Sequence, residues 1–314
     1  MKSTIRLPSV KSGAAICYSG YREHQSPSDQ TYPSLQQIHE DLLLLAPHWQ
    51  HLRLYDCSLH AHRVLQVIAA EGLDFEVMLG AYLGPELNNP ACPWGGVYSD
   101  AVLDQSKQEN ERELRRLVDL ANQYPAIVSS VAVGNEATVD WTDHLVSVPQ
   151  MIAYVRWVKE RVEQPISFCE NYVPWQYKLR DLVPELDFIS IHTYPVWEYK
   201  SIHEALAYTQ ANVLSVSTRY PDKPIVVSEA GWTTGSNGRG IRPESASEDL
   251  QAVYCRELMQ WSKRCGVLVY VFEAFDEPWK GSPDPMEPEK HWGLYTVDRR
   301  PKKVVHDLFS TPCF

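Results

Sequence analysis

Ile127-Val-Ser-Ser-Val-Ala-Val-Gly-Asn-Glu136 is an apolar, β-branched run that breaks into small residues and ends on an acid, and Pro224-Ile-Val-Val-Ser-Glu229-Ala-Gly-Trp232 repeats the pattern. A carboxyl at the C-terminal tip of a strand sits where parallel α/β folds place their chemistry, and two such carboxyls suggest paired acid and base work. Taken singly, each is as readily a helix N-cap or a solvated loop charge.

Outward from these two segments, apolar β-branched runs alternate with stretches of helical period along nearly the whole chain, the pattern of βα units and a parallel sheet. Eight strands are predicted: 14–21, 52–57, 75–83, 127–137, 166–172, 188–195, 225–232 and 268–275. Helical stripes follow at Leu35, Ile38, Leu42 and Leu45, at Leu114, Leu117, Val118 and Ala121, and at Ile152, Val155, Val158 and Val162. Another runs through Leu250, Val253, Tyr254, Leu258 and Trp261, behind a capping segment at Ser245-Ala-Ser247-Glu-Asp. Eight units in 314 residues fit a closed (β/α)8 TIM barrel, which needs roughly 250. The expectation is one domain over residues 1–314, with long loops after strand three (Gly84 to Ser99) and strand eight (Asp276 to Lys290). An open doubly wound sheet would bring a Gly-rich phosphate loop into an early helix, and Tyr18-Ser-Gly20-Tyr21 supplies neither that spacing nor a Walker lysine. No cofactor is expected.

Hydrophobic content of 44% and charged content of 22% are ordinary for a globular chain, and no apolar stretch approaches the ~20 residues of a membrane helix. A net charge of −11 argues against nucleic acid as partner. Met1 to Val10 lacks the apolar core of a signal peptide, so a cytoplasmic protein is expected. The seven cysteines stand singly, with no Cys-x-x-Cys pair, and read as buried or free thiols.

If the strands are placed correctly, Glu136 ends the fourth and Glu229 the seventh, facing each other across the barrel mouth. Such a pair can cleave a glycosidic bond, one carboxyl protonating the leaving oxygen while the other attacks or activates water. Asn135 offers an amide to a ring hydroxyl, and Tyr194 a phenolic hydrogen bond to Glu229. Arg53 places a positive charge beneath the same carboxylate, or else forms a structural ion pair. Aromatic residues gather at strand ends (Tyr18, Tyr55, Tyr172, Trp175, Tyr194, Trp197, Trp232, Phe275 and Trp279), where sugar C–H faces could stack on them. Glu170 and Glu273 are further strand-end acids, fit to bind hydroxyls or to tune the pair through like-charge coupling.

Four motifs in chain order, Gly134-Asn-Glu136, Ile191-His-Thr-Tyr-Pro195, Ser228-Glu-Ala-Gly-Trp232 and Phe272-Glu-Ala-Phe-Asp-Glu-Pro-Trp-Lys280, resemble glycoside hydrolase family 17, in the clan of retaining (β/α)8 glycosidases. The last of them looks more like fungal and bacterial members than plant ones. The resemblance implies cleavage of β-1,3-glucosidic bonds with retention, with Glu136 as acid/base, Glu229 as nucleophile, Asn135 as ligand of the 2-hydroxyl and Tyr194 as orienter of the nucleophile. The expected substrate is a β-1,3-linked gluco-oligosaccharide. The loop after strand three, walling one end of the cleft, would favour exo release of glucose; endo cleavage and glucanosyl transfer are the alternatives. Two rival readings are a metal-dependent hydrolase using His60-Ala-His62 near Cys57, and a catalytically silent glucan-binding barrel.

Overall fold

The computed structural model describes residues 14–309, so Met1 to Val10 and Cys313 lie outside the described residues. Eight parallel strands close on themselves in sequence order: β1 Ala15–Cys17, β2 His51–Leu54, β3 Glu76–Ala81, β4 Val128–Asn135, β5 Ile166–Asn171, β6 Ile189–His192, β7 Ile225–Gly231 and β8 Val269–Phe272. Every predicted strand is present, most ending earlier than expected. The surplus residues at their C-terminal ends leave the ladder to form the rim of the barrel mouth, where the site lies.

Helices pack outside the barrel: α1 Leu35–Leu45, α2 Leu59–Glu71, α3 Asp100–Gln123, α4 Val148–Lys159, α5 Ile202–Arg219, α6 Glu248–Cys265 and α7 Lys303–Phe309. Their starts follow local chemistry. Ser34 makes a reciprocal capping box with Gln37, and Ser247 accepts from the Leu250 amide ahead of Glu248 and Asp249. The predicted stripes are the buried faces: Ile38, Leu42 and Leu45 of α1, and Tyr254, Leu258 and Trp261 of α6, join one continuous core with the strands.

The expectation of eight equal units fails between β5 and β6, where two 3₁₀ turns, Pro174–Gln176 and Val183–Glu185, replace a helix. Pro174 and Pro184 lack the amide hydrogens that a continuous helix needs. Trp175 covers the barrel there instead, fully buried against Phe168 with its indole donating to the Ser190 carbonyl.

Besides one between Val77 and Met78 at the start of β3, register shifts fall between Ala132 and Asn135, between Ile191 and His192, and between Val227 and Ala230. Bulges re-aim side chains, and the last three adjoin the two glutamates. Of the cysteines, Cys17, Cys57, Cys92, Cys169 and Cys255 are buried free thiols and Cys265 is an exposed one. Among the described residues, no helix is long and apolar enough to cross a membrane.

Candidate active site

The mouth opens into a cavity of about 1000 Å³ whose floor holds Glu136 and Glu229. Glu229, two residues before the end of β7, is almost completely buried. Its Oε1 accepts from Arg53 Nη1 at 2.5 Å and its Oε2 from the Tyr194 hydroxyl at 2.5 Å, while His192 Nδ1 lies 3.5 Å away. Burial alone would raise its proton affinity. The His192 and Arg53 charges, with the Tyr194 and Arg53 hydrogen bonds, outweigh burial and hold it below the usual carboxylate range. It is poised as an anion.

Arg53, on β2, is itself buried, and its fork spans two site residues: Nη1 to Glu229 and Nη2 to Asn135 Oδ1 at 2.5 Å. Asn135, its oxygen so engaged, lines the cavity beside Glu136. Arg53 therefore orients the site from beneath, as a charge paired with the Glu229 carboxylate, and does not line the cavity as a substrate-binding residue would.

Glu136 follows directly, with φ +47°, after Gly134 at φ +91°. A Cβ on Gly134 would come within 3.1 Å of both Met151 and Phe168, so this turn needs glycine on both counts. Glu136 Oε1 meets His192 Nδ1 at 2.8 Å. One carboxylate oxygen from each glutamate and the imidazole nitrogen all lie within 4.8 Å of one another. Burial opposes charge on His192, but the Glu229 carboxylate, with bonds to Cys169 and Glu136, pushes it up to about 10. The two carboxylates thus favour the protonated form of the imidazole between them.

Of the other expected residues, Tyr18, Tyr55, Tyr194, Trp197 and Trp279 line the cavity, and Tyr172 does so as well. Three expectations are corrected. Trp232 is fully buried against Tyr254 of α6, its indole donating to the Ser245 carbonyl, because it points outward from the barrel wall. Glu170 is fully buried on the outer side of β5, accepting from the Thr138 amide and hydroxyl and from the Asn171 amide. It faces no sugar, although its charge couples to Glu136. Glu273 is buried with both oxygens on Lys280 Nζ, at 2.9 and 2.7 Å. Trp175 and Phe275 are core as well.

His192 is the functional residue that sequence reasoning passed over. Its signal lay in the quoted motif: two positions before Tyr194 in the predicted strand 188–195, it should share that residue's face. Lys280 was likewise unread. It lines the cavity while bound to Glu273 and Glu277, and Ser19 donates to Glu277 at 2.6 Å. The proposed His60 and His62 metal pair is split by helix geometry, His60 buried with its ring stacked on Tyr21 and His62 exposed.

A profile of the BtgE/BtgC glycoside hydrolase domain matches residues 15–293. The chain belongs to this family. That membership, with the solved relatives below, bears out the resemblance to glycoside hydrolase family 17. Among curated relatives, a glucan 1,3-beta-glucosidase of Schizosaccharomyces pombe is 24% identical over 79% of this chain and 74% of its own length. An Aspergillus niger protein carrying the name glucan endo-1,3-beta-glucosidase btgC is 25% identical over 87% of this chain. A glucan 1,3-beta-glucosidase of Arthroderma benhamiae is 27% identical over 37% of it. The chain spans about two fifths of the length of the last two, 40% and 41% respectively. Among solved structures, an endo-laminarinase from Formosa Hel1_33_131 superposes with a TM-score of 0.80 at 26% identity, over 95% of this chain and 87% of that one. A family 17 β-1,3-glucanosyltransferase from Rhizomucor miehei, at 22% identity and a TM-score of 0.72, over 93% of this chain and 96% of that one, shares the fold.

Proposed function

We propose that the chain hydrolyses β-1,3-linked gluco-oligosaccharides with retention of anomeric configuration. The carrying observation is the spacing of the pair: oxygens of Glu136 and Glu229 within 4.8 Å suit direct attack by one carboxylate, whereas a water between them would need roughly 6.5–9.5 Å. Glu229, held anionic, attacks the anomeric carbon while Glu136 gives a proton to the departing glycosidic oxygen. The glucosyl ester on Glu229 is then broken by water that Glu136 deprotonates. Asn135 donates to the 2-hydroxyl, and Tyr194 and Arg53 keep the nucleophile oriented. The names of the curated relatives support the choice of linkage.

The decisive experiment follows the anomers of laminari-oligosaccharide hydrolysis by NMR. The β-anomer should form first, and initial α-product overturns double displacement. Glu136→Gln should lower kcat by about 10²–10⁴ while leaving oligosaccharide binding intact, and unchanged turnover sinks the assignment.

Release of glucose from chain ends is the finer proposal, supported by the loops after β3 and β4, which join into one wall beside the cleft. Internal cleavage is the second reading, favoured by the endo-acting name of the Aspergillus relative. Early products from a long oligosaccharide decide between them: glucose with the chain shortened by one unit supports the first, a spread of lengths the second. Products longer than the input reveal transfer.

A further inference from the structure

Beyond the catalytic pair, the cavity runs up against a wall formed by residues 84–99, after β3, and 138–147, after β4. The two loops are one unit. Asn89, buried, donates through Nδ2 to the carbonyls of Asp140 at 2.9 Å and Thr142 at 2.7 Å, and the Glu86 and Leu87 amides both donate to the Leu145 carbonyl at 3.0 Å. His144 ties the unit to the catalytic strand, its Nε2 bonded to the Asn135 carbonyl at 2.9 Å and its Nδ1 to Asp143 at 2.7 Å. The wall is thus fixed relative to Glu136.

On this rigid support stand Trp94, 60% exposed, and Trp141, 39% exposed, both facing the cavity. Their ring centroids lie 6.1 Å apart with faces inclined at 52°. Exposed tryptophans are costly surface unless something covers them, and here they adjoin the site already described. Of the nearby acids, Asp140 is paired with Lys178 and Asp143 with His144, so the wall is close to charge balance and offers an ionic ligand little. It suits a neutral ligand that presents C–H faces to the rings and hydroxyl groups to acceptors. A β-1,3 linkage turns successive sugar rings out of a common plane, which an inclined pair of platforms matches better than a flat one.

We propose that Trp94 and Trp141 form an outlying subsite that grips glucosyl units of the β-1,3-glucan away from the scissile bond and so sets a preference for longer chains. This rests on the β-1,3-glucan reading of the cleft. The test compares wild type, Trp94→Ala/Trp141→Ala and Trp94→Phe/Trp141→Phe on laminari-oligosaccharides of two to seven units. The double alanine variant should lose about tenfold in kcat/KM on the longest substrate and less than twofold on laminaribiose, and the phenylalanine variant should recover most of the loss. An equal loss at every length, or none at any, overturns the subsite. Calorimetric binding of laminarihexaose to Glu229→Gln, with and without the two alanines, separates this proposal from the one it rests on. If the wild type turns over no β-1,3 substrate yet hexaose binding weakens tenfold with the alanines, the subsite stands and the activity falls. If hexaose binding is absent, or indifferent to the tryptophans, the subsite falls too.

Discussion

Arg53 reaches two site residues with one planar group, and lysine, a single point of charge, could not hold both Glu229 and Asn135 in register. Glu170 presents the opposite case, a carboxyl that its surroundings prefer neutral. Burial, and then the Glu136 charge, push it up to about 7 against the pull of the Thr138 and Asn171 donors. Below its ordinary value of 4.5 it is protonated whether the chain is folded or not. Between 4.5 and 7 the folded state keeps a proton that the unfolded chain has released, so this residue makes stability fall as pH rises, and above 7 the deficit stays constant at about 3 kcal/mol. Glu170→Gln removes the titration. Urea unfolding of both proteins from pH 4 to 8 should show the variant gaining about 3 kcal/mol on the wild type across that window, and a difference flat with pH rejects it. Residue placement was legible wherever strand parity could be anchored on a known inward residue. Counting from Glu229, Trp232 lies an odd number of positions away and points out, just as Glu170 opposes its inward neighbour Asn171. Counting strand-end aromatics and acids without parity put both wrongly in the cleft. Lys280 and the wall residues lie off the strands, where neither parity nor helical period reaches.

At the level of elements, the eight strands were legible because buried β-branched runs differ so clearly from the amphipathic stripes between them. The β5–β6 crossover was not, since its apolar residues pack as 3₁₀ turns around Trp175 with no period to read. The fused wall was equally hidden, because it depends on Asn89 meeting carbonyls about fifty residues away. Asn89→Ala would strand the Asp140 and Thr142 carbonyls, and a buried group left unsatisfied costs about 1–3 kcal/mol. Hydrogen exchange should then rise in residues 84–99 and 138–147 while β4 and β7 stay protected. Unchanged exchange in the loops would show that they are held independently of Asn89.

Across the whole molecule, the two ends of the barrel divide the work. The C-terminal ends of the strands carry the glutamates and the buried ionic groups around them, an arrangement that trades stability for a poised site. The N-terminal ends carry apolar closure. There, ahead of β2, His48 stacks on Phe309, the last residue of α7, at 3.9 Å and Trp49 meets the same ring edge-on at 5.7 Å. Replacing Phe309 with alanine removes packing volume from this end, at a cost of roughly 3 kcal/mol. Because Glu136 and Glu229 hang from the other end of the barrel, the variant should unfold several degrees lower yet keep kcat/KM within about twofold at 20 °C, far below its transition. Thermal melts paired with initial rates check this. A fall in kcat/KM parallel to the loss of stability would mean that the two ends are mechanically coupled and that the division of labour proposed here is wrong.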